Sequence, residues 1–152
     1  MMNCLTNECF KKLTIIFWML WWLAAFWTDL SGGLAHLGVI QTTTWISDSN
    51  YPFLINSLQI YPLPTWLPPL FFIGIVVWLA ISFFAFLWAC FALGQPSTVW
   101  MSRARAAYIL SLLLWMAFFL ADQMIFKFDL EENHMVQGGF EFLCFLALYL
   151  LP

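Results

Sequence analysis

A run of ~20 mostly apolar residues is suited to cross a bilayer as a helix, because a helix satisfies every backbone polar group within the segment itself. This chain offers four candidate runs. The first extends from Leu13 to about Leu34 and contains TIIFWMLWWLAAFWT. The second, about Leu70 to Leu93, follows the proline-stiffened segment YPLPTWLPPL, and the third covers about Ala106 to Phe126. The fourth starts near Leu130 and extends to Leu151, but only its end, FLCFLALYLLP, is apolar throughout. The expected fold is all-α: a four-transmembrane-helix bundle in one domain, with a long external loop from about Ala35 to Pro69.

Composition argues against a water-soluble alternative. Of 152 residues, 64% are hydrophobic and 9% are charged, with 17 Phe and 10 Trp. An average soluble domain is roughly half apolar and roughly a quarter charged. A soluble domain of this length keeps much of its residue set at the surface and could not hide so many large apolar side chains. Only five Lys and Arg are present, too few for the basic patch that a nucleic-acid partner requires. The expected partners are the lipid bilayer and other membrane subunits or further copies of the chain.

Lys and Arg set orientation, because they stay on the cytoplasmic side. Lys11 and Lys12 precede the first span, and Arg103 and Arg105 fall between the second and third. Two crossings separate these sites, so one orientation serves both, with the N- and C-termini cytoplasmic. Lys127 alone falls outside. A multi-pass protein of a bacterial inner (plasma) membrane is expected. The basic start, apolar core and Gly33-Leu34-Ala35 also resemble a secretory signal, but the apolar stretch is long for one and reads as an uncleaved anchor.

The external loop is rich in turn formers, and its Trp45, Tyr51, Phe53, Tyr61 and Trp66 suit the headgroup zone. A short helix is expected at Tyr51–Ile60. Pro68 and Pro69 fit the first turn of the second span, where the missing N–H donors cost nothing. Cys4, Cys9, Cys90 and Cys144 match no zinc or redox spacing. Cys90 and Cys144 read as buried thiols, and Cys4 and Cys9 lie ahead of the first span.

Ionisable groups inside a bilayer are costly and mark sites by default. Counting ~1.5 Å per residue, Asp29 and Asp122 lie ~24 Å from the inner boundary, His134 ~26 Å and Glu141 ~15 Å, near the centre. In the fourth span Glu131, His134, Gln137, Gly138, Glu141 and Cys144 recur at intervals of three and four, on one helical face. Phe140, Phe142, Leu143, Leu146 and Leu150 occupy the other. Span one aligns Trp22, Ala25, Asp29, Gly33 and His36. Span three aligns Tyr108, Ser111, Trp115, Phe118 and Asp122. In span two, Gly74, Trp78, Ser82, Ala85 and Ala89 form a mostly small face suited to close contact.

If these faces meet, Asp29, His36, Asp122, Glu131, His134 and Glu141 form an acidic cluster with two imidazoles, and Lys127 stands near Asp122, Asp129 and Glu131. Three uses follow. The polar groups can hydrogen-bond across helices and fix their register, two of the acids snorkelling outward. They can bind a transition metal, since Glu131-x-x-His134 has the spacing found in di-iron bundles, although those use two such motifs. They can carry protons or cations, with Glu141 the central group, and Trp22, Trp78, Trp115 and Gln137 can line a pocket for a lipid or quinone. Four helices are few for an alternating-access carrier. Leu30 to Gly33 reads LSGG, but nothing around it resembles a nucleotide-binding domain.

The layout of spans resembles small bacterial four-helix membrane families of the DoxX-like kind. The resemblance is architectural and implies neither an activity nor a site. The expected role is a non-catalytic membrane component or a subunit of a larger membrane complex. The alternative is a metal- or proton-binding bundle, an oxidoreductase or a cation path, using the Asp/Glu/His cluster.

Overall fold

The structure is a computed structural model and describes residues 7–41 and 48–152. Cys4 and Trp45 lie outside the described residues. Five helices form: α1 (Asn7–His36), α2 (Asn50–Leu58), α3 (Leu67–Cys90), α4 (Ser97–Met124) and α5 (Phe128–Leu150). No strand occurs among the described residues. By length and composition α1, α3 and α4 can each cross a membrane. The fifth helix is not in that group; its first half is polar, and Asn133, His134, Gln137 and Glu141 dilute even its most apolar stretch.

The helices sit close to where the apolar runs predict them, with two shifts. The first helix begins at Asn7, ahead of Leu13, so Lys11 and Lys12 are helical. There Lys12 pairs with Glu8 at 2.7 Å, one turn back. The fourth helix begins at Ser97, well before Ala106, so Arg103 and Arg105 ride on the helix and do not lie in a loop. Pro96 occupies the N-cap, and Met101, Arg103, Ala104, Arg105 and Ala106 are strong helix formers with no breaker among them. Their charges leave the helix over aromatic rings. The Arg103 guanidinium lies 4.7 Å from the Trp88 ring and donates from Nη1 to the Trp88 carbonyl, and Arg105 lies 5.3 Å from the Tyr149 ring. In the third helix Pro68 and Pro69 occupy the first turn, as expected. The short helix expected at Tyr51–Ile60 is α2.

Helix ends follow backbone rules. After α1, Gly38 takes a positive φ of 71° and Val39 N–H returns to Leu34 O at 2.9 Å. That is the left-handed stop for which glycine is favoured. The α4–α5 turn has the same geometry with Phe126 at φ 56° and Lys127 N–H bonded to Asp122 O at 3.0 Å. So short a connection folds α5 back as the antiparallel neighbour of α4.

The chain divides into two compact units, one of Met1–Trp21 with Ser82–Pro152 and one of Trp22–Ile81. In the first, α4 and α5 pack along their length. Its core includes Ile15, Trp18, Phe86, Trp100, Tyr108, Leu114 and Leu148. In the second, Gly33 lies against Phe72, so close that a Cβ would come within 2.8 Å of the ring.

The small face expected on span two is corrected in part: Ser82 and Ala89 are buried and Ala85 is half-buried, but Gly74 does not face inward. Gly74 is exposed with open space beside it, Trp78 is half-buried, and the buried positions are Phe72, Leu79, Ser82, Phe86 and Ala89. These recur at intervals of three, four and seven, so Phe72, Leu79 and Phe86 share that face with Ser82 and Ala89. What remains outside is strongly apolar. Most of the apolar run of α3 is not buried, and Phe71, Ile73, Val77, Ile81, Phe84 and Trp88 are exposed. In water each such side chain would forfeit roughly 1 kcal/mol or more of burial energy. A lipid surrounding removes that cost.

Candidate functional site

The fifth helix is polar inside and apolar outside. Gly138, Glu141, Cys144 and Leu148 are buried, and Glu131, His134 and Gln137 are half-buried along the same stripe. Phe140, Phe142, Leu143 and Leu150 are exposed. This is the division expected from the three-and-four spacing, apart from Leu146, which is half-buried. Glu131, His134 and Glu141 of the stripe meet partners set by the antiparallel register of α4.

At the centre is Glu141, with no exposed surface. Trp115 Nε1 donates to Glu141 Oε2 at 2.6 Å, and Ser111 Oγ lies 2.5 Å from Glu141 Oε1. Ser111 and Trp115 are one turn apart on α4, so a single helical face delivers both groups to one carboxyl. The Ser111 hydroxyl also lies 3.0 Å from Ala107 O and 3.1 Å from Tyr108 O. Gly138 makes the arrangement possible. A Cβ there would stand 2.9 Å from Trp115 Cγ and 3.1 Å from Phe119 Cζ. Only hydrogen at this position lets the indole lie against α5 and reach Glu141.

Two turns toward the α4–α5 connection, His134 Nδ1 lies 2.6 Å from Asp122 Oδ2. Asp122 is 2% exposed, and the imidazole opens further to the surroundings. The imidazole stacks on Phe118 (4.8 Å between centroids, 19° between planes) and touches Trp115 at 5.8 Å. Nearest the connection, Gln123 Nε2 donates to Glu131 Oε2 at 2.6 Å on the exposed rim. At the other end of this unit, Lys11 Nζ donates to the Leu151 carbonyl at 2.8 Å, and the Thr14 hydroxyl bonds Lys11 O.

In the unit formed by Trp22–Ile81, Asp29 Oδ1 accepts from Asn50 Nδ2 at 2.7 Å. The same amide donates to Asp48 Oδ2 at 3.1 Å, and Asp48 Oδ1 accepts the Asn50 backbone N–H at 3.0 Å. Gly32 lies under this knot, where a Cβ would come within 2.6 Å of Asp48 Oδ1 and 2.8 Å of Asp48 O. His36 is exposed, 4.8 Å from the Tyr51 ring, and Tyr51 in turn meets Phe72 edge-on at 4.9 Å. This unit also contains an open apolar cavity of 260 Å³, lined by residues including Leu34, Leu37, Tyr51, Phe72 and Val76.

The six ionisable residues expected to form one cluster each have partners within their own unit. Asp122 and His134 meet. Glu131 and Glu141 have separate partners on α4, and Asp29 and His36 meet residues of α2 and of the segment just before it. Among the described residues no group of three His, Cys, Asp or Glu side chains is placed to hold a metal ion. The Glu131-x-x-His134 pair is split because Glu131 reaches Gln123 while His134 reaches Asp122. Of the residues expected to line a pocket, Trp22 is fully buried, Trp115 is committed to Glu141, and Gln137 Nε2 bonds Asn133 Oδ1 one turn away. The cavity is lined by other residues.

Sequence reasoning passed over Asp48 and Asn50, whose only signal is turn-forming composition. It placed Ser111 and Gly138 on the correct faces without assigning them a role. No protein-family model, no curated protein and no solved structure matches the chain.

Proposed function

We propose that this is a polytopic membrane protein whose fourth crossing is α5, and that it serves as a non-catalytic membrane component, working within a larger assembly. The observation that carries this reading is the inside-out character of α5: a buried carboxyl, glycine and thiol on one face, and Phe, Leu and Val on the exposed one. At ~1.5 Å per residue, its 23 residues extend ~34 Å, enough for the hydrocarbon core. Polar pairs between α4 and α5 then fix register where apolar packing against lipid is unspecific. Lys12, Arg103 and Arg105, each over an aromatic ring, suit the cytoplasmic headgroup zone of a bacterial inner membrane, with both termini on that side.

The exposed aromatic surface serves lipid and partner subunits alike. Purification in mild detergent tests the role. Stoichiometric partner chains support an assembly subunit. A lone protein with stoichiometric metal that is lost in His134→Ala contradicts it and favours the metal-binding alternative. A second reading, proton binding within the seam, is favoured by one specific feature, the surroundings of Glu141.

A further inference from the structure

We infer that Glu141 is a proton-binding site, held in a frame that serves the charged and the neutral carboxyl without rearrangement. The frame has two parts. Trp115 Nε1–H is a donor only, 2.6 Å from Oε2, and an oxygen of either a carboxylate or the C=O of a carboxylic acid accepts from it. Ser111 is adaptable. Its single hydroxyl hydrogen has three acceptors in reach: Glu141 Oε1 at 2.5 Å, Ala107 O at 3.0 Å and Tyr108 O at 3.1 Å. With the carboxylate, Ser111 donates to Oε1. With the acid, Oε1–H donates to Ser111 Oγ, and the hydroxyl hydrogen turns to the Ala107 or Tyr108 carbonyl. The two carboxyl oxygens, the indole N–H and the serine hydroxyl keep these bonds in both states, and the exchange moves hydrogens only. The step is formation or cleavage of one O–H bond at Oε1, the proton coming from and returning to water, with no change of oxidation state.

A carboxyl that serves only to fix helix register needs one arrangement of donors. Here the serine provides two. Among the described residues, titratable groups facing the carboxyl include Tyr108 of α4 and Cys144 of α5, with Cys90 of α3 near Tyr108. From α1, Thr14 and Trp18 border the same region and carry no charge. His134, bonded to Asp122, touches the same Trp115 ring and is the nearest imidazole along the seam.

The inference rests on α5 lying in the bilayer, which side-specific cysteine labelling tests separately. Its own test is infrared difference spectroscopy of the protein in phosphatidylcholine bilayers, acidic minus alkaline. Wild type is expected to show a reversible carboxylic C=O band that Glu141→Gln removes. Glutamine retains an acceptor for Trp115 and a donor for Ser111, so this variant keeps the fold. Ser111→Ala is expected to keep the band and shift it upward, because the acid loses its hydrogen-bond partner. A Glu141 band that does not change with pH overturns the inference. So does the absence of any carboxyl band sensitive to Glu141→Gln while the amide bands remain helical.

Discussion

Trp115 on α4 gives its indole N–H to the fully buried Glu141 carboxyl on α5 across 2.6 Å. The contact depends on backbone proximity as much as on the two side chains, since Gly138 leaves only a hydrogen between α5 and the indole.

Gly138→Ala is therefore expected to destabilise the protein by about 1–3 kcal/mol, the usual cost of overpacking, offset in part by the helix propensity of alanine. The neighbouring Gly139 has no atom within 4 Å of where a Cβ would stand. Gly139→Ala is expected to be neutral or stabilising by up to about 1 kcal/mol. Thermal unfolding of both variants in one detergent reads the contrast, and equal effects at the two positions would contradict the packing described for Trp115.

Asp122 and His134 are expected to be energetically coupled. A cycle of Asp122→Asn, His134→Ala and the double variant should give a coupling of about 0.5–2 kcal/mol, the range seen for polar pairs in membrane helices. Reversible unfolding in mixed micelles measures it. Additive effects would show that their 2.6 Å approach contributes nothing to stability.

Asn50 ties Asp29 to Asp48 through one amide group. Asn50→Ala leaves the Asp29 oxygen without that donor and places two carboxyls together without the amide between them. The segment around Asp48 is expected to open, at a cost of about 1–3 kcal/mol. Gly32→Ala should open it too, because the added Cβ meets the Asp48 backbone as well as its side chain. Limited proteolysis between α1 and α2 is expected to accelerate in both variants. Cleavage at the wild-type rate in both would show that the knot does not hold this segment.

What the sequence made legible follows from distance along the chain. The apolar runs that became α1, α3 and α4 needed only length and composition. The stripe of α5 needed only a period, and Glu141 fell at its buried centre as the spacing predicts. The partners of that stripe were legible in part, because the α4–α5 turn is short and Ser111, Trp115 and Asp122 share one face. Asp29 shows the limit. Its partner Asn50 lies 21 residues away across a long connection, and no periodicity links them. The small face expected on span two held at Ser82 and Ala89 but not at Gly74, for another reason. Residue size alone does not set which face turns inward, and Phe72 and Phe86 fill theirs by bulk.

The central claim is that α5 crosses the membrane with its polar face inward, and side-specific cysteine labelling tests it most directly. In a chain whose four native cysteines are replaced, Phe128→Cys and Leu150→Cys mark the two ends of α5. A membrane-impermeant maleimide is expected to label the first on intact cells whose inner membrane is accessible, and the second only after permeabilisation. Labelling of both positions from the same side would contradict the claim.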